Sequence, residues 1–258
     1  MESSFNRGDP KKHPVQRFSR PDPNKREASI SCRATNPLSL HDDLGKVFLD
    51  ENQARATTAT RMFRNDELFD AMRKVVLPSF FSANRSAKFC MWSTGCSSGE
   101  EVYSMAMIAL ELFATAKRHP FMEAYGTDIN RNRIIEAREG VYLRPARSAI
   151  DAAYWRLLAS YATMTTHEIG MGDVLRQVCK FTIFDMRNRP KKHTFHFIVC
   201  NHVLQYYDAP GQQHIIANLK SVLKPGGFLY LEGLTNHGLD GSGLKKHPSA
   251  QNLFIVAE

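Results

Sequence analysis

The sequence lacks the usual signatures of metal, redox and membrane proteins. Its five cysteines, Cys32, Cys90, Cys96, Cys179 and Cys200, form no Cys-x-x-Cys pair. This excludes a zinc ribbon or thioredoxin-type site and leaves no disulfide framework. None of the ten histidines stands in a His-Glu-x-x-His or similar ligand spacing, so no metal is expected. No apolar run approaches the roughly 18 residues of a membrane span, and the amino terminus lacks the apolar core of a secretory signal. These absences predict a cytoplasmic chain. Two nucleotide-binding loops are missing as well. No lysine followed by Ser or Thr closes a glycine turn as phosphate requires, and Gly95-Cys-Ser-Ser-Gly99 has the wrong spacing for the dinucleotide fingerprint.

Basic residues dominate the charge: 34 Lys and Arg against 26 Asp and Glu give a formal net charge of +8. The excess is concentrated in a proline- and lysine-rich amino terminus and in the pairs Lys191-Lys192 and Lys245-Lys246. Such runs solvate loops and tails, and no aromatic-basic module interleaves them, so nucleic acid is not the expected partner. An acidic or carboxylate-bearing acceptor would be drawn to this charge. Residues 1–36 read as a flexible basic arm, residues 37–82 as a reduced helical segment with a short helix at 38–49, and residues 83–258 as one α/β domain. The 43% hydrophobic content is enough to fill its core.

The most informative stretch is Phe89-Cys-Met-Trp-Ser-Thr-Gly-Cys-Ser-Ser-Gly-Glu-Glu-Val-Tyr-Ser104, which reads as a buried strand, a glycine turn and a helix start. Gly95 and Gly99 let the backbone approach a ligand closely. Glu100 or Glu101 can accept hydrogen bonds from it but would repel phosphate. A cationic, hydroxyl-rich ligand fits, and S-adenosylmethionine offers an ammonium, a sulfonium and a ribose diol. A second strand ends in Asp128, placed for ribose hydroxyls at the carboxyl edge of a parallel sheet, although an Asp there also reads as a helix cap. A third strand ends in Asp185-Met186, suited to an adenine's exocyclic amine and face. The apolar strand His196-Phe-Ile-Val-Cys200 leads to Asn201-His-Val-Leu-Gln-Tyr206 at the same rim. Residues 212–223 then fit an amphipathic helix, Pro225-Gly226-Gly227 a turn, and residues 228–232 a strand. Cys90 and Cys200 read as small hydrophobes, whereas Cys96, in the turn, reads as open to alkylation.

With these motifs the chain resembles the chemotaxis-receptor glutamate methyltransferases. Their Trp-Ser-Ala-Gly-Cys-Ser-x-Gly-Glu-Glu-Pro-Tyr-Ser signature is matched by Trp92-Ser-Thr-Gly-Cys-Ser-Ser-Gly-Glu-Glu-Val-Tyr-Ser104. Their Thr-x-Phe-Phe-Arg is matched by Thr60-Arg-Met-Phe63-Arg64, and their Ala-x-x-Gly-x-Tyr by Ala137-Arg-Glu-Gly140-Val-Tyr142. The resemblance implies a Rossmann-like, doubly wound, mostly parallel seven-stranded methyltransferase sheet preceded by a short helical segment. It also implies S-adenosylmethionine as cofactor and a protein glutamate, as in a chemoreceptor cytoplasmic domain, as acceptor. Arg64 and Tyr206 take the active-site positions. Thr60, Arg64, Gly95, Glu100, Asp128, Asp185, Met186, Asn201 and His202 take positions around the cofactor.

The departures fall at the rim. Asn201-His202 replaces the family's Arg-Asn, Thr58 replaces an Asn, and Glu232-Gly-Leu-Thr235 replaces Gly-x-Ser-Glu. They leave room for a methyltransferase acting on a small metabolite or another protein, and for a non-catalytic cofactor sensor. An ionised carboxylate needs alignment more than a base, so Arg64 is expected to position the acceptor and Tyr206 to donate one hydrogen bond. Residues 150–161 look helical. Residues 162–178 read as an irregular lobe or hairpin with a turn at Gly170-Met-Gly172, where some family members carry a small antiparallel insertion that docks a receptor tail.

Overall fold

A computed structural model describes residues 60–83, 87–191 and 194–256. The expected arm, the helix at 38–49, Cys32 and Thr58 lie outside the described residues. Helix α1 (Asp66–Ala71) runs through a π-helical turn (Met72–Val76) into α2 (Leu77–Ala83). Strand β1 (Phe89–Thr94), α3 (Glu100–Thr115), β2 (Met122–Asp128) and α4 (Arg131–Glu139) follow. After these come β3 (Val141–Leu143), α5 (Ala152–Tyr161), β4 (Ala162–Met164), β5 (Glu168–Met171) and α6 (Asp173–Val178). The remainder comprises β6 (Cys179–Ile183), β7 (Phe195–Cys200), α7 (Ala209–Lys220), β8 (Leu223–Leu231), β9 (Leu244–Lys246) and β10 (Leu253–Val256).

Seven strands form one sheet in the order β6-β2-β1-β7-β8-β10-β9. The first five pair in parallel, while β10 runs antiparallel to both β8 and β9. The chain winds outward from β1 through β2 to β6, then returns to β1's other side as β7. That reversal places a crevice outside the carboxyl ends of β1 and β7, where ligands of open α/β sheets bind. Both faces of the sheet are covered. Phe89, Met91, Phe197 and Val199 join one core, and Cys90, Trp92, Ile198 and Cys200 join the other. This double burial is why β1 and β7 read as unbroken apolar runs.

Three expected boundaries move. Helix α7 ends at Lys220, not 223, and Leu223 already pairs with Phe195 in the sheet. The register between β7 and β8 then jumps, from Phe195 opposite Leu223 to Phe197 opposite Phe228. The expected turn at Pro225-Gly226-Gly227 is therefore a bulge within β8, with Gly226 at φ 70°. His196 sits at this irregularity and accepts the Cys90 amide through Nδ1 at 3.1 Å. Burial, with Lys224 beside it, pushes its pKa down to about 4. The third correction is at Gly170-Met-Gly172, which is no turn. Gly170 and Met171 belong to β5 and Gly172 caps α6. The lobe is ordered as a second, three-stranded antiparallel sheet, β3-β5-β4.

Candidate functional site

The turn after β1 is built from left-handed backbone, which costs strain at Ser97 and none at its two glycines. Gly95, Ser97 and Gly99 have φ of 71°, 50° and 92°. A Cβ on Gly95 would stand 2.4 Å from Val203 Cγ2 and 3.5 Å from Met186 Cε, and one on Gly99 would stand 2.8 Å from Ala137 Cβ. Both glycines thus answer close approach as well as conformation. The Gly95 contacts also bring the turn, Met186 and Val203 of the β7 rim together.

Asp128 fastens this turn. Its Oδ2 accepts the Ser97 amide at 2.9 Å and its Oδ1 the Asn130 amide at 2.8 Å. The cap of α4 is Asn130, whose side chain accepts from Asn132 and Arg133. The helix-cap alternative for Asp128 therefore gives way to a bridge from β2 to the turn. Two acceptor sites per oxygen leave the carboxylate capacity for ribose hydroxyls.

The paired glutamates diverge because successive helix positions point about 100° apart. Glu100 accepts from Ser98 Oγ at 2.8 Å and lies within electrostatic reach of Arg133 and Glu136. Glu101 faces the sheet rim, accepting Ser93 Oγ at 2.7 Å and Asn201 Nδ2 at 2.9 Å. Burial raises the pKa of Glu100, Glu101 and Asp128. A raised folded-state pKa means the folded protein holds those protons more tightly. The resulting stability is complete below the ordinary carboxylate range and is lost as pH rises through the raised values. A bound cation would relieve this penalty. The thermal stabilisation conferred by S-adenosylmethionine is therefore expected to grow from mildly acidic to neutral pH, and a pH-independent gain in melting temperature would contradict that.

Asp185 is buried and gripped by its own neighbour. Arg187 Nε lies 3.0 and 2.8 Å from its two oxygens, Nη2 lies 2.6 Å from Oδ2, and the Arg187 amide donates to Oδ1 at 2.9 Å. It stands at the expected rim, but its charge is already paired.

The segment carrying Thr60 and Arg64 is pinned at its centre. Buried Phe63, at φ 53°, stacks on Tyr154 at 4.7 Å, and its amide donates to Ser104 Oγ at 3.0 Å. The Ser104 hydroxyl also bonds the Glu100 carbonyl at 2.7 Å. Thr60 is half-buried and Arg64 exposed on either side of this anchor. Asn65 ties the segment to the far side of the crevice, donating through Nδ2 to Glu232 Oε1 at 2.9 Å while its Oδ1 caps α1.

At the β7 rim, Asn201 is buried and His202 half-exposed at φ 57°, with Nδ1 3.3 Å from Glu232 Oε2. Tyr206 is 42% exposed and ends a single 3-10 turn, Leu204–Tyr206. That turn is held by a residue the sequence did not flag, Gln212. Fully buried, it donates to the carbonyls of Leu204, Tyr207 and Gly233 at 2.8, 3.2 and 3.0 Å. It also accepts the Thr235 amide at 2.9 Å. Glutamine on an amphipathic helix normally reads as a solvated position, so Gln212 gave no distinguishing signal, and neither did Asn65; Glu101 was one of the two acids flagged at the turn, and the structure shows that it is the one bonded to Asn201.

Cys96 corrects another expectation. It is 3% exposed, and burial, with Asp128 and Glu101 near, holds its thiol well above the ordinary range. Thiol-specific reagents are expected to leave it unmodified in the folded protein, as mass spectrometry of native and unfolded samples would show.

The crevice fits S-adenosylmethionine on its own chemistry. Asn201 Oδ1 and Thr94 Oγ1 are buried at the ends of β7 and β1 without a hydrogen-bond partner. An orphaned buried acceptor costs about 1–3 kcal/mol. Donors such as an ammonium and hydroxyls would satisfy such atoms, and the three half-buried carboxyl groups of Glu100, Glu101 and Asp128 would balance the cation. Among the described residues no His, Cys, Asp and Glu cluster could hold a metal, and no helix is long and apolar enough to cross a membrane.

Comparison with known proteins agrees. Residues 58–236 match the family described as CheR methyltransferase, SAM binding domain. A probable chemotaxis protein methyltransferase of Rhizobium etli is 29% identical over 74% of this chain and 70% of its own length. The chemotaxis protein methyltransferase of Listeria monocytogenes is 30% identical over 72% of this chain and 69% of its own. That of Borreliella burgdorferi is 25% identical, with 63% of its length spanned. Among solved structures, the glycopeptide N-methyltransferase MtfA complexed with S-adenosylmethionine superposes with a TM-score of 0.36 at 12% identity, over 67% of this chain and 57% of that one. That likeness is too slight to add to the argument. The match to the family over residues 58–236, more than half of the chain, together with a relative 30% identical, carries the conclusion: the chain belongs to the CheR family of S-adenosylmethionine-dependent methyltransferases.

Proposed function

We propose that the protein methylates a carboxylate oxygen, in the first instance a glutamate side chain of a chemoreceptor cytoplasmic domain. The observation that carries this reading is the pinned segment at residues 60–65. Phe63 is tied to Ser104 of α3 and Asn65 to Glu232, with exposed Arg64 between them, and half-buried Glu100, Glu101 and Asp128 stand at the adjoining turn. S-adenosylmethionine supplies an electrophilic methyl group when bound. Glu101, Asp128 and Asn201 would hold it, with Thr60, Gly95, Glu100, Asp185, Met186 and His202 around it. A carboxylate arrives already nucleophilic, so the protein's task is to orient it and exclude water. Arg64 would fork onto the acceptor's oxygens and Tyr206 donate one hydrogen bond to it.

Two variants separate these roles. Tyr206→Phe is expected to lower turnover with little change in cofactor affinity, and Arg64→Ala to impair both. The direct test incubates the protein with S-adenosylmethionine tritiated in the methyl group and a purified chemoreceptor cytoplasmic fragment. Radiolabel that base releases as methanol supports the ester; absence of protein-bound label would refute the receptor assignment. In this reading the small sheet is the docking platform for the acceptor protein. Its edge strand β3 presents Val141 and Leu143, 48% and 84% exposed, on one side. Leu143→Asp is expected to raise the KM for the receptor fragment and leave that for the cofactor unchanged.

A further inference from the structure

One ionisable pair at the crevice offers a proton acceptor that esterifying an ionised carboxylate does not need. His202 adopts a left-handed backbone, φ 57°, which disfavours a residue with a Cβ. Its imidazole is 44% exposed, and Nδ1 faces Glu232 Oε2 at 3.3 Å. Glu232 is immobilised through its other oxygen, which accepts Asn65 Nδ2 and the Tyr230 hydroxyl at 2.9 Å each. A carboxylate opposite Nδ1 calls for a hydrogen there and leaves the lone pair on Nε2 of this half-exposed ring. An imidazole oriented in this way by a fixed acid is the arrangement that removes a proton from an attacking group.

Glu232, just past β8, faces His202 directly, and Glu101 on α3 lies within electrostatic reach of it. Glu67 of α1 stands one partner further, bonded to Asn252, which reaches Glu232 at 3.5 Å. An ionised carboxylate acceptor has no proton to give. An amine would enter this acid-lined crevice as an ammonium, its lone pair blocked. A hydroxyl enters neutral and gains most from a base.

We propose that His202, oriented by Glu232, is a general base that equips the same crevice to methylate a weakly acidic hydroxyl, such as a phenol. The acceptor oxygen's lone pair forms the bond to the methyl carbon as the carbon–sulfur bond breaks with its electrons remaining on sulfur. The hydroxyl proton passes to Nε2 and then to water. This activity goes beyond carboxylate methylation and does not depend on a receptor acceptor.

The test begins with nitrogen-15 NMR of the histidine rings in the full chain saturated with S-adenosylhomocysteine. His202 is expected as the Nδ1–H tautomer, shifting toward Nε2–H in Glu232→Gln. Transfer of tritiated methyl to phenol, catechol and N-acetyltyrosine amide is then measured against pH. A base-stable ether is expected, with an acid limb that tracks the imidazole titration seen by NMR. His202→Asn, whose asparagine tolerates the left-handed backbone, should lose about 100-fold in ether formation together with that limb. An Nε2–H tautomer in the wild type, a tautomer insensitive to Glu232→Gln, or no base-stable product from the wild type overturns the proposal. Base-labile label on a receptor fragment with none on phenols would overturn it while supporting carboxylate methylation. Ether without ester would do the reverse.

Discussion

Asp128→Ala is expected to weaken S-adenosylhomocysteine binding by a factor of about 100 or more, read by calorimetric titration against a wild type that binds near one ligand per chain. The carboxylate holds two backbone amides, Ser97 in the glycine turn and Asn130 before α4. Hydrogen bonds to a charged group contribute about 1.5–3 kcal/mol each. Alanine removes both at once and frees Ser97 from its left-handed conformation, so the turn that must approach the ligand loses its shape before any ligand contact is counted. Asp128→Asn sharpens the test. Its amide oxygen can accept one of the two backbone N–H groups, but its NH2 opposes the other, so an intermediate loss is expected. Undiminished affinity in folded Asp128→Ala would remove this carboxylate from the cofactor site.

Gln212→Leu is the second large effect, and it acts on stability and turnover together. The leucine nearly matches the side chain in size but supplies neither donors nor acceptor. The carbonyls of Leu204, Tyr207 and Gly233 and the amide of Thr235 would lose their buried partner. The expected cost is about 3–5 kcal/mol, a fall in melting temperature of roughly 10 °C for a domain of this size. The two loops held by Gln212 carry Tyr206 on one side and the stretch after Glu232 on the other. Residual folded enzyme is therefore expected to turn over more slowly with nearly normal cofactor affinity. An unchanged melting temperature would show that water or backbone movement replaces these bonds.

Much of the cofactor side was legible because it is local. The strand, the glycine turn and the two acids lie within residues 89–104, and the hydrophobic period announces β1, β2, β6 and β7 directly. Asp128 and Met186 were legible because an acid or apolar residue ending a parallel strand lands at one edge of the sheet whatever the loops do. The acceptor side was less so. Gln212 reaches Gly233, 21 residues on, and Asn65 reaches Glu232, 167 residues on, and no spacing rule relates such partners. Cys96 misled because a turn suggests exposure, whereas this turn is folded under Asp128 and the ends of β1 and β2. The 225–227 segment misled because Pro-Gly-Gly signals a turn equally in a loop and in a strand bulge.

The sequence by itself determined the fold class, the cofactor and the family, since each follows from short-range pattern: apolar strands alternating with helices, carboxylates where a phosphate site would need cations, and dense motif identity. Only the tertiary structure decided which paired glutamate meets the rim, that Asp185 is already paired with Arg187, and that His202 stands against Glu232. Those outcomes depend on how side chains from separate elements converge once α3, β7 and β8 pack at the crevice. Burial there fixes protonation and partner choice, quantities that exist only when water has been excluded.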